Sequence, residues 1–279
     1  VQILIKFTIL AENRARGKGI LGEHGLSILL EVDGFNVLLD AGQTDVFSFN
    51  ASTKCIDLSK VDAMVVSHGH YDHTGGVPEF CRLNSKAPVY IHKDAFCERY
   101  NAVNNRPVGD SIGIPWKNDI NSIRDRLIFT DRLLNINENI TISGTVPLNS
   151  VGTPLNFVKR STSGDFEKDM VSDEQFLIVK GKMGLYIFTG CSHPGVLNCV
   201  SFAKKIFLDE NIYGLFGGMH LEKYTGDQLA KVIESLKSTG IEVIAPMHCT
   251  GIVASSYIKN ALGDKCLLLN SGDEVILEK

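Results

Sequence analysis

Short apolar runs fill the first half of the chain, and helically spaced apolar positions take over in the second. Residues 1–10, 26–32 and 35–39 read as strands, and Asp33-Gly34 separates the last two. An Asp-Gly pair between apolar runs is a strong hairpin signal. Ala63-Met64-Val65-Val66 predicts a further strand, as do 88–92, 127–129 and 139–143, and 176–180 with 185–188 reads as a hairpin around 181–184. Residues 45–58 read as part helix, 94–100 as a short helix, and Thr74-Gly75-Gly76-Val77-Pro78 as a helix start. From 195 onward strands and helices alternate, with helices over 195–208, 225–239 and 252–262 and strands over 212–216, 241–245, 267–269 and 275–277. The 225–239 helix sets Leu229, Val232, Ile233 and Leu236 on one face, with a Thr225-to-Gln228 capping box and Gly240 as terminator. Two stretches have neither period. Residues 101–126, with the sole tryptophan Trp116, read either as a lid over a site, Trp116, Ile112 and Ile114 touching a flat ligand, or as a surface insertion. The charge-rich run 160–173 reads as solvated loop. The pattern predicts one α/β domain over 1–279.

The chemistry concentrates just after the 63–66 strand. Ser67-His68-Gly69-His70-Tyr71-Asp72-His73-Thr74 places three imidazoles and a carboxylate within six positions, in a chain with eight histidines. Imidazole and carboxylate are the ligands of a catalytic zinc site, and a strand that ends there releases them into a loop where they can converge. Three more histidines, His193, His220 and His248, each follow a late strand. Side chains at the carboxyl ends of neighbouring strands meet at one sheet edge, where ligands bind. Asp40 ends the 35–39 strand in Asp-Ala-Gly, which by itself reads as a turn former. His24, in Glu23-His24-Gly25, reads as a loop residue or as a group facing the site.

Bulk properties narrow the range. A net charge of −4 and a pI near 6.1 argue against a general nucleic-acid binder. The seven cysteines lack the spacing of a metal ribbon or a ferredoxin loop, so reduced thiols and a cytoplasmic setting are expected, and an electron-carrying metal protein is the remote alternative. No apolar run approaches membrane-spanning length, and the first ten residues read as a strand without the features of a signal peptide.

His-x-His-x-Asp-His after a strand resembles the metallo-β-lactamase superfamily. The resemblance implies a four-layer αβ/βα sandwich with one or two metals at an edge. Diiron-flavin relatives place Glu where His70 stands, and lactam-cleaving members usually lack a counterpart of His73, so the presence of both implies a binuclear centre. By the same resemblance His68, His70 and His193 hold one ion and Asp72, His73 and His248 the other, with zinc expected and manganese or iron as the other candidates. Asp72 and His193 take the catalytic roles. Asp40 supports the ligands, and His220, His24 and Trp116 stand in the second layer or meet substrate. Most members carry a bridging Asp where this chain has Cys191; either that thiol bridges, or the site lacks a protein bridge, His193 and water do the work, and Cys191 is only packing. Gly190-Cys191-Ser192-His193, Gly217-Gly218-Met219-His220-Leu221 and His248-Cys249-Thr250-Gly251 narrow the likeness. They resemble the branch with dihydropterin–ribofuranosylaminobenzene-phosphate synthase and bacterial metal-dependent hydrolases. The implied activity is hydrolysis of a small phosphoester or acyl substrate by a hydroxide held between the ions. The alternative is transfer, in which a dihydropterin pyrophosphate condenses with an aminobenzene acceptor and aromatic walls come from Trp116, Tyr71, Phe166 and Tyr213.

Overall fold

The computed structural model describes residues 4–148 and 155–278. The alternation in Ile5–Ala11 sends Ile5, Phe7 and Ile9 to one face of a sheet and Leu10 to the other. That sheet has seven strands, in the order Glu274–Glu278, Ile5–Ala11, Ser27–Val32, Phe35–Leu39, Ala63–Val65, Val89–His92 and Leu127–Thr130. A second sheet of six orders Val243–Met247, Ile212–Gly218, Leu185–Thr189, Leu177–Lys180, Ile140–Ile142 and Leu134–Asn135.

The two sheets face each other across a dry core in which Phe7 meets Phe188 at 5.4 Å and Phe216 at 5.0 Å. Outside the first sheet lie Val46–Thr53 and Val77–Leu83, which bury Phe47, Ala51, Val77 and Phe80 against Leu38, Met64 and Ile91. Outside the second lie Val196–Ile206, Gly226–Ser238 and Ile252–Leu262, on Ile187, Leu215 and Ile244. The order is helix, sheet, sheet, helix, the layered sandwich that the family resemblance implies. No helix among the described residues is long and apolar enough to cross a membrane.

Several local expectations change. The strand expected over 1–10 begins at Ile5, and residues 1–3 lie outside the described residues. Thr225 caps its helix by position, but its side chain makes no capping hydrogen bond, so the capping box does not form. The strand expected over 267–269 is reduced to one bridge between Ile244 and Cys266. The helix expected over 94–100 is a 3-10 turn, Lys93–Phe96, followed by a strand.

The largest difference is a third sheet of four strands, Phe166–Lys168, Phe157–Arg160, Arg99–Val103 and Arg106–Ser111. It takes in part of both stretches that lacked a period. Arg106–Ser111 is mostly exposed, so no apolar alternation marked it. The available signal was Asn104-Asn105, both at positive φ (50° and 61°), the backbone of a two-residue hairpin turn.

Trp116, expected as a wall for a flat ligand, is a core residue. It is buried against Phe96 in the outer core of the first sheet, and its Nε1–H donates to Thr74 O at 2.7 Å. Tyr213 packs on Tyr186 in the inter-sheet core, and Phe166 lies under Arg160 and against Tyr100. An indole with a satisfied N–H is worth more as core than as an exposed surface, which is why a lone Trp in an irregular stretch misleads.

Candidate metal centre

The strand Ala63–Val65 ends under the inter-sheet edge, and the chain turns through Ser67-His68-Gly69-His70 into the one-turn helix Tyr71–Thr74. The turn is tight: a Cβ on Gly69 would lie 2.0 Å from Ala95 O, so only glycine fits between the two histidines. Across the edge, the parallel strands Leu185–Thr189, Ile212–Gly218 and Val243–Met247 end side by side. Their following loops carry His193, His220 and His248 to the same place. The sequence expectation of convergence at one edge describes what is seen.

Two clusters of donors result. His68 Nε2 and His70 Nδ1 are 3.0 Å apart, and a ring nitrogen of His193 lies within 4.8 Å of the donors of both. In the second cluster His248 Nε2 is 3.2 Å from His73 Nε2 and 3.2 Å from Asp72 Oδ2, and His73 Nε2 is 3.9 Å from that oxygen. The clusters adjoin, with the His68 and His73 rings 4.3 Å apart. Cys191 Sγ sits at the junction, 3.1 Å from His73 Nε2, and groups with donors of both clusters.

The outer nitrogens explain how the rings are aimed. Ser67 Oγ donates its one proton to Asp40 Oδ2 (2.7 Å), so it can only accept from His68 Nδ1–H at 2.9 Å. His73 Nδ1–H donates to the same carboxylate at 2.6 Å, and Ser67 N–H to its other oxygen at 2.7 Å. His248 Nδ1–H donates to Asn13 Oδ1 (2.8 Å), an oxygen that also accepts Gly25 N–H. His193 Nδ1 lies 2.6 Å from Glu174 Oε2. Four imidazoles thus spend Nδ1 on the surrounding protein and turn Nε2 inward. That is how a shell of outer hydrogen bonds fixes the tautomer and orientation of metal-binding histidines.

Electrostatics fit positive charge here. Burial, then the neighbouring imidazoles, push His68 and His70 well below their ordinary value, and His193 down to about 3, so these rings keep their lone pairs. Burial would raise Asp72, but His73, His24 and His248 hold its carboxyl well below the usual range. Burial would lower His73, yet Asp40 and Asp72 on either side lift it to about 9. His70 Nε2 is buried with no hydrogen-bond partner. Lone-pair donors packed against each other, beside carboxylates that recruit positive charge, suit a divalent cation and little else.

The centre forms the floor of a cavity of roughly 170 Å³. Phe157, Ile112 and Asn101 come to its wall from the third sheet and the segment after it, and Tyr71 and the exposed Lys223 line it as well. His24 is half-exposed at the mouth, 3.2 Å from Asp72 Oδ2. His220 lines the cavity with its ring 4.5 Å from His193.

Several members of the site escaped the sequence reading. The end of the run read as solvated loop is buried beneath the centre. Asp173 Oδ2 accepts Gly69 N–H at 2.8 Å; Glu174 Oε1 accepts the N–H groups of Cys191 and Ser192, and its Oε2 that of His193. Gln175 N–H donates to Ser67 O and its side-chain amide to Val66 O. These residues pin both ligand loops. The signal was there, an acidic run abutting the apolar strand that begins at Leu177, but a charge run without partners in view reads as solvated. Cys249 was also unassigned. It is buried beside Cys191; Cys191 and His220 pull its thiol down against burial, while burial pushes Cys191 up. Phe157, the aromatic ring on the cavity wall, lies in the third sheet.

A four-layer sandwich with such an edge is the architecture of the metallo-β-lactamase superfamily, and the chain belongs to it. The superfamily profile matches residues 21–148. The chain is 34% identical over 249 residues, 88% of its length and 91% of the relative's, to the uncharacterized protein MJ0448 of Methanocaldococcus jannaschii. It is 27% identical over 282 residues, 96% and 95% of the two chains, to that organism's 7,8-dihydropterin-6-methyl-4-(β-D-ribofuranosyl)-aminobenzene-5'-phosphate synthase. Among solved structures, Tm1679, described as a metal-dependent hydrolase of the β-lactamase superfamily, superposes with a TM-score of 0.85 at 30% identity, over 99% of this chain and 100% of that one.

Proposed function

We propose that this chain is a metal-dependent hydrolase with a binuclear centre, acting on a small phosphoester or acyl compound. The observation that carries the reading is the pair of adjoining donor clusters, each aimed by its own outer hydrogen bonds, on the floor of an open cavity. His68, His70 and His193 would hold one ion, and Asp72, His73 and His248 the other. Zinc suits the mostly imidazole set, and manganese or iron could occupy it. Such ions supply Lewis acidity and lower the pKa of a bound water toward ~7.

The chain's own residues then set the geometry. Asp72 stays deprotonated, so one oxygen can meet an ion while the other orients a water proton. Asp40 and Glu174 keep His73 and His193 on target. The exposed Lys223 is available to an anionic substituent, and Phe157 and Tyr71 offer faces to an apolar one. Cys191, 3.1 Å from His73 Nε2 and grouped with donors of both clusters, could supply a thiol to the centre.

A second reading is transfer, with pyrophosphate leaving a pterin-like substrate and no water consumed. It is favoured by the near full-length similarity to the synthase and by the aromatic wall. One assay separates the two. With phosphodiesters, lactones, and pterin pyrophosphates paired with an aminobenzene acceptor offered in ¹⁸O-labelled water, hydrolysis puts the label in the product. Unlabelled product with released pyrophosphate marks transfer instead, and turnover of none of these classes counts against both. In parallel, Cys191→Ala should lower bound zinc from two equivalents toward one. An unchanged zinc content makes Cys191 packing alone.

A further inference from the structure

Among the largest fully buried side chains is a charged one. Arg99 opens the strand Arg99–Val103 of the third sheet and is 1% exposed. Its two terminal nitrogens meet Asp173 at 2.9 and 3.1 Å, the forked pairing that fixes a carboxylate in one orientation. Nε lies 3.2 Å from Asp169 Oδ2, near enough for an ion pair but off the line of a hydrogen bond. One guanidinium with two carboxylates, all buried, is a poor way to gain stability, because desolvation offsets the attraction.

The arrangement does supply a fixed point. Asp173, held by the fork, accepts Gly69 N–H at 2.8 Å, and Gly69 is the link between His68 and His70. The backbone of Ala95 closes on Gly69 from another side, so the N–H contact and the packing together define where the two rings aim. The next residue, Glu174, holds the backbone and ring of His193. One side chain of the third sheet is therefore tied to all three donors of the first cluster, and through its strand to Asn101 on the cavity wall. The second cluster hangs on Asp40 and Asn13, and among the described residues Asp72, His73 and His248 make no hydrogen bond to Arg99 or Asp173.

We infer that Arg99 is a positioning residue for the first donor cluster, acting through Asp173 on the Gly69 N–H. The inference rests on reading that cluster as a metal site.

The test measures zinc affinity by chelator competition in the full chain. His248→Ala leaves the first cluster as the reporter, and His193→Ala leaves the second. In the first background Arg99→Met should weaken zinc about 10–100-fold, the usual cost of losing an outer partner of a metal ligand. Arg99→Lys, which keeps the charge without the fork, should recover part of that loss. In the second background Arg99→Met should leave affinity unchanged. Should Arg99→Met fail to fold, Asp173→Asn carries the same expectations. Equal weakening of both clusters would reduce Arg99 to a structural role and overturn the inference, as would wild-type affinity in both backgrounds; in either case the metal reading stands. A parent protein that binds no zinc overturns the metal reading, and the inference with it.

Discussion

Replacing His68 and His70 together by alanine should leave a folded protein that holds one ion in place of the two proposed and has lost nearly all turnover. His68 Nε2 and His70 Nδ1 are 3.0 Å apart in an edge-to-face pair, and burial holds both imidazoles neutral. Removing them therefore strands no buried charge, although Ser67 Oγ loses a partner. The fold is held elsewhere, by the inter-sheet core around Phe7, Phe188 and Phe216. The expected outcome is a cooperative melt, zinc content reduced by one equivalent in elemental analysis, and kcat lower by on the order of 10²–10³ or more, the scale seen when one preorganised electrostatic group leaves an active site. Undiminished zinc in the double variant would remove His68 and His70 from the ligand set.

Asp40→Ala should be the more destructive single change, because it damages structure and site at once. Asp40 is fully buried and accepts from Ser67 N–H, Ser67 Oγ–H and His73 Nδ1–H. Its loss leaves those donors unpaired in the interior, at about 3–5 kcal/mol for breaking a buried charge-assisted set. Its φ of 58° adds strain for alanine that asparagine tolerates. Asp40→Asn keeps backbone and shape, yet its NH₂ must face a donor on one side. It should recover much of the stability while still binding zinc poorly, because His73 and, through Ser67, His68 both lose their aim. Denaturant unfolding and zinc content measured on both variants check this. Asp40→Asn with wild-type zinc affinity would show that the carboxylate only supports the fold.

The elements of the sandwich were legible because both faces of its two large sheets are covered, which prints short, nearly continuous apolar runs for the strands and helical spacing for the helices outside them; their layering came from the resemblance. The Asp33-Gly34 turn and the late alternation of helix and strand followed from those runs and spacings. The donors were legible because imidazoles at strand ends have few other reasons to cluster. What stayed hidden depends on partners far away in the chain. Asp173 and Glu174 look like solvent-facing charges until Gly69 and the 191–193 loop are brought to them. Arg99 looks like an ordinary surface cation until two carboxylates close on it. The third sheet was missed because its exposed strands need no apolar period. Trp116 was misplaced because its N–H partner, Thr74 O, lies 42 residues away.

Crystals grown with zinc should show by anomalous scattering whether side chains from separate parts of the chain hold two divalent ions at one sheet edge, as proposed. Two zinc peaks are expected, one within bonding reach of His68, His70 and His193 and one of Asp72, His73 and His248. Density for zinc elsewhere on the molecule, with neither cluster occupied, would contradict the proposal.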